Sequence, residues 1–398
     1  MKILYVTTIS NTVNAFLIPH IKFLLDEGNE VGLAFNKVQD VNPDLIKMGC
    51  KVHQVEFQRS PLKKENLFAY KKIKKIIVEE GYELIHVHTP VASFLTRLAC
   101  RNIKNLKVLY TAHGFHFFKG APLKNWAIYC PLEAIAAKWT DGLITINDED
   151  YKFAAKLKLR KGGSVYKIHG VGLDFERFSP QTTENKNELR KEYGYQMKDF
   201  ILMIVGELRY IKHQDLLIET VNKLKQKIPD IKLLLVGGGN LLNEYKNLAN
   251  SLGVEKNVEF LGFRNDVYHL MKMSDIAISS SRREGLPVNV MEAMATGLPL
   301  VVTDCRGNRD LVERGKNGFI VGVDDIEACV LAIEKLYHSI DLRREFGTMN
   351  KEMIQLYSKD YVIGELKEIY SNLSFPKSIM GRNIKVYSNE VKRLNESN

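Results

Sequence analysis

The sequence predicts an α/β protein of two domains, each a mostly parallel sheet with helices on both faces. Three observations carry this. Short apolar runs of strand length alternate with helical stretches along most of the chain, the pattern of βα units rather than of hairpins. Those runs end in polar residues and glycines, where open α/β sheets keep their ligand sites. At 398 residues the chain is longer than one ordinary core requires, so two domains are expected.

In the first half, Ile3 to Thr7 reads as a buried strand and leads through the loop Thr8 to Asn14 into a helix from about Ala15 to Glu27. Ile18, Ile21, Leu24 and Leu25 share the apolar face of that helix, and Gly28 stops it. Glu30 to Asn36 and Val52 to Phe57 are strands, separated by a short helix at Asp44 to Met48. A basic helix over 66–80 precedes the strand Leu84 to His88, the helix Pro90 to Cys100, and the strands Val108 to Thr111 and Leu143 to Asn147. The polar residues at the strand ends are the candidates for chemistry: Asn11 and Asn14 in the first loop, His86 and His88, His113 with His116, and Asn147 to Glu149. Without a G-x-G-x-x-G pattern the first loop has no cradle for a nicotinamide or flavin dinucleotide, and its polar side chains suit an acceptor or a sugar. His113 is followed by Gly114, so a ligand can approach it closely. His86 and His20 read more simply as buried histidines bonded to backbone. Neither an H-x-x-x-H pair nor a Cys/His cluster accompanies these histidines, so no metal site is expected.

The linker is placed at about 171–190, and a second alternating series begins at Phe200 to Gly206. Helices are predicted at Asp215 to Ile228, 241–252, 266–272 and near 325–338, and strands at Ile231 to Gly237, Val258 to Leu261, Ile276 to Ser279, Leu300 to Thr303 and Gly318 to Val321. Past the strand Phe200 to Gly206 lie Arg209 and Lys212, a fork and a point charge suited to a diphosphate. Gly237 and Gly238 permit close backbone approach, and Phe263 with Arg264 would offer backbone groups to a base edge. The stretch Ser279 to Ala293 holds Glu284 before a helix read as Leu286 to Ala295, with Pro287 in its first turn and Glu292 inside it. A helix start offers free N–H groups to phosphate, and two acids beside it make sense if the ligand also carries hydroxyls, as a sugar nucleotide does. A surface loop with a cap residue is the plain alternative. No G-x-x-x-x-G-K-[ST] stretch occurs, which argues against a nucleotide triphosphatase.

Composition narrows the class. Apolar residues make up 45% and charged residues 26%, values of a globular chain. No apolar run is long enough to span a membrane, and the first residues pass straight into a strand, with no room for a signal peptide. Five scattered cysteines form neither a disulfide framework nor a ligand spacing. A cytoplasmic protein is expected. The formal net charge of +10 falls almost wholly in the first 180 residues. Two stretches concentrate it: lysines among apolar residues over 63–75, and the aromatic stretch 115–124, read as a mobile loop. Such mixtures suit an anionic membrane face or nucleic-acid bases, or form a solvated face and a loop packed on the core.

The ordered set Thr111-Ala112-His113-Gly114, Gly206 to Lys212, Gly237-Gly238-Gly239, Gly262 to Val267, and Glu284 with Glu292 eight residues on, continuing to Pro299, resembles the signature of the retaining glycosyltransferases of family 4. The likeness runs from Met1 to about Tyr370, and in particular to bacterial enzymes that build capsular, exopolysaccharide or lipid-linked glycans. It implies the GT-B architecture, two Rossmann-like domains with parallel sheets facing across a cleft: an acceptor-side domain over 1–175 and a nucleotide-sugar-binding domain over 190–357. A helix over about 358–372 would return to the first domain, and 376–398 would be a polar, basic tail. By the same resemblance Glu284 contacts the donor sugar hydroxyls, Glu292 the ribose, and Lys212 the diphosphate; His113 lies near the reacting centre, with Gly285, Leu286 and Pro287 leading a helix start to the phosphates. A UDP-sugar, or a GDP-sugar, is then the substrate, with no permanently bound cofactor, no metal and no nucleic acid. Two departures stand out. Members commonly carry Gly-Gly in the first loop, where this chain has Ser10 to Asn14, and many carry Arg directly after the strand glycine, where this chain has Glu207. Arg209 is the candidate replacement. The rival readings are a GT-B enzyme of another reaction, an epimerase or phosphorylase, and a non-enzymatic basic binding protein.

Overall fold

The computed structural model describes residues 1–373; the predicted tail lies outside them. The first half runs β1 (Lys2–Ile9), α1 (Ser10–Thr12), a π-helical turn (Val13–Leu17), α2 (Ile18–Asp26), β2 (Glu30–Asn36), α3 (Pro43–Lys47), β3 (Lys51–Gln54), α4 (Glu65–Glu80), β4 (Leu84–His88), α5 (Pro90–Cys100), β5 (Lys107–Ala112), α6 (Leu123–Ala137), β6 (Gly142–Thr145), α7 (Asp148–Ala154) and β7 (Ser164–Lys167). The second half runs α8 (Thr183–Glu192), β8 (Phe200–Val205), α9 (Gln214–Leu224), β9 (Ile231–Val236), α10 (Leu242–Ser251), β10 (Val258–Gly262), α11 (Val267–Met273), β11 (Ile276–Ser279), α12 (Val288–Thr296), β12 (Leu300–Thr303), α13 (Asn308–Leu311), β13 (Gly318–Val321), α14 (Ile326–His338) and α15 (Ile340–Met353). A 3₁₀ turn (Ile354–Tyr357) then leads into α16 (Lys359–Leu373).

Both sheets are parallel, with strand orders β3-β2-β1-β4-β5-β6-β7 and β10-β9-β8-β11-β12-β13. Their central strands are buried on both faces, which is why they are mostly apolar: every residue of β4, β11 and β12 is buried, including His86, His88, Ser279 and Thr303. In each sheet the order reverses beside the first strand, between β1 and β4 and between β8 and β11. Such a switch point leaves a crevice outside the carboxyl ends of the two strands.

The end of the described chain lies against the first sheet. The Tyr370 hydroxyl is 2.6 Å from that of Tyr5 and 2.6 Å from Nδ1 of His86, and Tyr5 and His86 are register partners on β1 and β4. Glu365 accepts from the backbone N–H of His169 at 3.0 Å and lies 2.8 Å from its Nδ1.

Four local expectations are corrected. The stretch Thr8 to Asn14 is not an open loop, because helical backbone starts at Ser10 and widens to a π turn over Val13–Leu17. Pro19 explains this: it has no N–H to give to the carbonyl four residues back, so the regular ladder cannot form there. The segment 115–124 packs on the core, with Phe115 and Phe117 buried and their rings stacked 5.0 Å apart. Part of the expected linker is helix α8, started by Thr182, whose side chain accepts from the N–H of Asn185. Finally, α12 begins at Val288 with Pro287 at its N-cap, not at Leu286, whose buried side chain packs beside Gly170.

Candidate active site

The site is built from the loops after β8 and β11, at the switch point of the second sheet. Lys212 Nζ donates to Oε1 of Glu284 at 2.6 Å, and Ser281 Oγ donates to the same oxygen at 2.6 Å. The two loops are tied together by Arg282 N–H on the carbonyl of Ile211 (2.8 Å) and Ser280 Oγ on that of Lys212 (2.8 Å). Both members of the Lys212–Glu284 pair are largely covered, at 22% and 13% side-chain exposure. The pair is therefore held in place rather than waving in solvent, and Oε2 of Glu284 takes neither of these bonds.

Opposite lies the loop after β5. Burial, with a smaller contribution from His20, pushes His113 down to about 4, so its imidazole is neutral near pH 7. Its Nε2 is 3.0 Å from Nδ1 of His88. His88 is buried, and its Nε2 has no hydrogen-bond partner among the described residues.

The loops of the two halves touch through glycine. A Cβ on Gly285 would sit 1.9 Å from the carbonyl oxygen of His113. One on Gly114, at φ 144°, would sit 3.2 Å from the Cα of Gly285. Only residues without side chains allow this approach. Between the loops is an open cleft of about 290 Å³, where Arg209, Lys212 and Arg283 surround the single carboxylate of Glu284, while Arg306 in its wall is bonded to protein oxygens. Such a wall suits an anion that also carries hydroxyls. Among the described residues, no group of three or more His, Cys, Asp or Glu side chains could hold a metal ion.

Comparison with known proteins accounts for this layout. Residues 2–147 match the model described as glycosyl transferase 4-like, and residues 185–353 that of glycosyl transferases group 1. The putative glycosyltransferase EpsD of Bacillus subtilis (strain 168) is 40% identical over 372 residues, 93% of this chain and 96% of the relative. The chain belongs to the family 4 glycosyltransferases. A UDP-Gal:alpha-D-GlcNAc-diphosphoundecaprenol alpha-1,3-galactosyltransferase of Escherichia coli is 28% identical over 75% of this chain and 78% of its own length. The crystal structure of Anabaena Alr3699/HepE in complex with UDP superposes with a TM-score of 0.76 at 21% identity, covering 94% of this chain and all of that one, which shows the GT-B fold.

Within this glycosyltransferase, the expected residues divide into those the fold gathers at the cleft and those it uses otherwise. His113, Arg209, Lys212, Glu284 and Gly285 line the cleft. Arg209 is partly neutralised there by Glu207, at 2.9 Å. Glu292 lies further along α12, and its carboxylate has no hydrogen bond or ion pair among the described residues; burial pushes it up to about 7, with Arg177 pulling the other way. Pro287 caps α12 with its backbone only, and no side chain closes that helix end.

Gly237 serves the chain's own packing, since a Cβ there would lie 2.2 Å from the carbonyl oxygen of Gly206, whereas Gly238 faces open space. Phe263 is exposed, and Arg264 is turned onto Asp266, to which its Nε donates at 2.8 Å. On the first half, the amide of Asn14 is spent on its own fold, donating to the carbonyl of Asp40 (2.8 Å) and accepting from the N–H of Asn42 (3.0 Å). Asn11 is exposed. His88 is buried behind His113 and meets the cleft through it.

Two cationic lining residues escaped the sequence reading as site residues: Arg283 and Arg306. Arg306 was discoverable, because it follows β12 and so obeys the strand-end rule that found Lys212. His116, grouped with His113 among the strand-end candidates, also lines the cleft.

Proposed function

We propose that the enzyme transfers a hexose or N-acetylhexosamine from a UDP-sugar, with retention of anomeric configuration, to a hydroxyl of a glycan carried on a polyprenyl diphosphate. The observation that carries this is the half-buried Lys212–Glu284 pair facing the His113–Gly114 loop across a cationic cleft. The UDP complex of HepE and the lipid-diphosphate acceptor named for the Escherichia coli relative support the two substrates.

In this reading the β-phosphate lies against Lys212 and Arg209, with the uncapped start of α12 adding its dipole. These charges are fixed where negative charge grows as the bond to the anomeric carbon breaks; losing one such partner costs about 3 kcal/mol of barrier, roughly a hundredfold. They also meet the leaving-group charge without a bound ion, so turnover is expected to be unaffected by chelators. Oε1 of Glu284 already accepts from two donors, which makes this carboxylate a poor nucleophile and a good anchor: Oε2 would take a sugar hydroxyl. Glu292 would take the ribose hydroxyls, and Gly238, Phe263 and Arg264 would flank the base. His113, held neutral, would accept from or donate to the sugar beside the reacting carbon. The proton of the acceptor hydroxyl passes to the departing phosphate oxygen on the same face, which is what retention requires when no carboxylate attacks.

The reading also places the enzyme at the cytoplasmic membrane surface, through the basic α4 and the exposed side chains of α6. The deciding experiment is a panel of UDP- and GDP-sugars incubated with glycan-diphosphoprenol acceptors. Release of free UDP only when acceptor is present is expected. Conversion of the sugar nucleotide without acceptor, or a requirement for inorganic phosphate, would replace transfer by epimerisation or phosphorolysis.

A further inference from the structure

Arg306 belongs to the second half but is spent on joining the halves. Its guanidinium is buried, and Nη1 donates to Oδ1 of Asp150 at 2.7 Å and to the carbonyl of Phe115 at 3.1 Å, while Nε donates to the carbonyl of Glu284 at 3.0 Å. Side-chain exposure of the pair is 4% and 2%. Asp150 is itself fixed: Oδ2 accepts from the N–H of Phe115 at 3.1 Å and from Nδ2 of Asn147 at 2.9 Å. Gly307 completes the fit, since a Cβ there would meet the carbonyl oxygen of Gly285 at 2.5 Å. One side chain therefore grips the backbone of Glu284 on one wall and that of Phe115, two residues past His113, on the other.

Stability alone is a weak reason for such a pair, because packed apolar residues often hold a buried interface as well or better. What an apolar pair cannot do is fix two carbonyls of facing loops in one geometry. We propose that Arg306 is a positioning residue: with Asp150 it sets the gap between Glu284 and His113, and thus the alignment of donor sugar and acceptor. The inference rests on reading Glu284 and His113 as the sugar-side residues. It assigns Arg306 no contact with substrate.

The test separates turnover from donor binding. In Arg306→Ala, kcat for acceptor-dependent transfer should fall about a hundredfold, the scale of an ångström-level misplacement. Calorimetric affinity for UDP should stay within about threefold of the parent, because Lys212 and Glu292 are untouched. Added guanidinium should restore part of the lost kcat. Arg306→Lys keeps the charge opposite Asp150, but one ammonium cannot span all three oxygens, so the same loss of kcat with retained UDP affinity is expected. This variant decides the matter should Arg306→Ala not fold. A kcat near the parent's in either folded variant, or parallel losses of kcat and UDP affinity, would overturn the proposal. Failure of the underlying donor-site reading looks different: UDP would then bind equally well to the parent and to Lys212→Ala.

Discussion

Glu292 shows how much of this site is chemistry waiting for a partner. A structural acid at a half-buried position usually finds a hydrogen bond or an ion pair; this carboxylate has neither among the described residues, and desolvation pushes it up from 4.5 to about 7. A raised acid binds its proton more tightly in the folded than in the unfolded chain. Stability is therefore undiminished below about 4.5 and falls as pH rises through about 7. Glu292→Gln is expected to stabilise the unliganded enzyme at pH 8, by on the order of 1 kcal/mol, and to change it far less at pH 5. Urea unfolding at the two pH values checks this; an equal effect at both would remove the link to titration. The sequence showed this acid and its neighbour Glu284, because both lie at fixed places around one helix start. It did not show that Lys212 and Ser281 share one oxygen of Glu284, since that depends on how the loops after β8 and β11 cross.

At the scale of elements, strand ends were legible and loops were not. β4, β11, β12 and β13 have the limits that their short, mostly apolar runs announce, because strands covered by helices are mainly apolar. The helices that escaped have mixed signals: α6 contains Pro131, and α8 is almost entirely polar. The first loop misled because helical backbone already begins at Ser10, with a π turn before Pro19 in the first turn of α2. α6 also changes the picture of the basic face. The buried Phe115 and Phe117 are unavailable to a membrane, while Leu123 (86%), Ile128 (53%) and Ile135 (45%) on α6 are exposed. On α4, Leu67 and Phe68 are exposed beside Lys71, Lys74 and Lys75. Lysines over an apolar face suit an anionic bilayer, each basic residue adding about 1 kcal/mol near the surface. Flotation with phosphatidylglycerol vesicles is expected to carry the enzyme at low salt, and Lys71→Glu with Lys74→Glu to release it. Unchanged flotation of that double variant would remove α4 from the contact.

At the scale of the whole molecule, the two sheets turn their carboxyl ends toward one cleft, and function follows from what each supplies. The second brings fixed cations, an anchored carboxylate and an open helix end; the first brings a neutral histidine and the close approach that Gly114 permits. The two-sheet plan could be read from alternation alone. The bridge between the sheets could not, because Asp150 and Arg306 lie 156 residues apart and no local pattern couples them. The central claim is that the second half holds the nucleotide through Lys212 and Glu292, and it is tested most directly by calorimetric titration of UDP into the parent, Lys212→Ala and Glu292→Ala enzymes. Affinity is predicted to fall about tenfold or more in each variant, the scale of one lost charge-assisted hydrogen bond; full affinity in both would contradict the account.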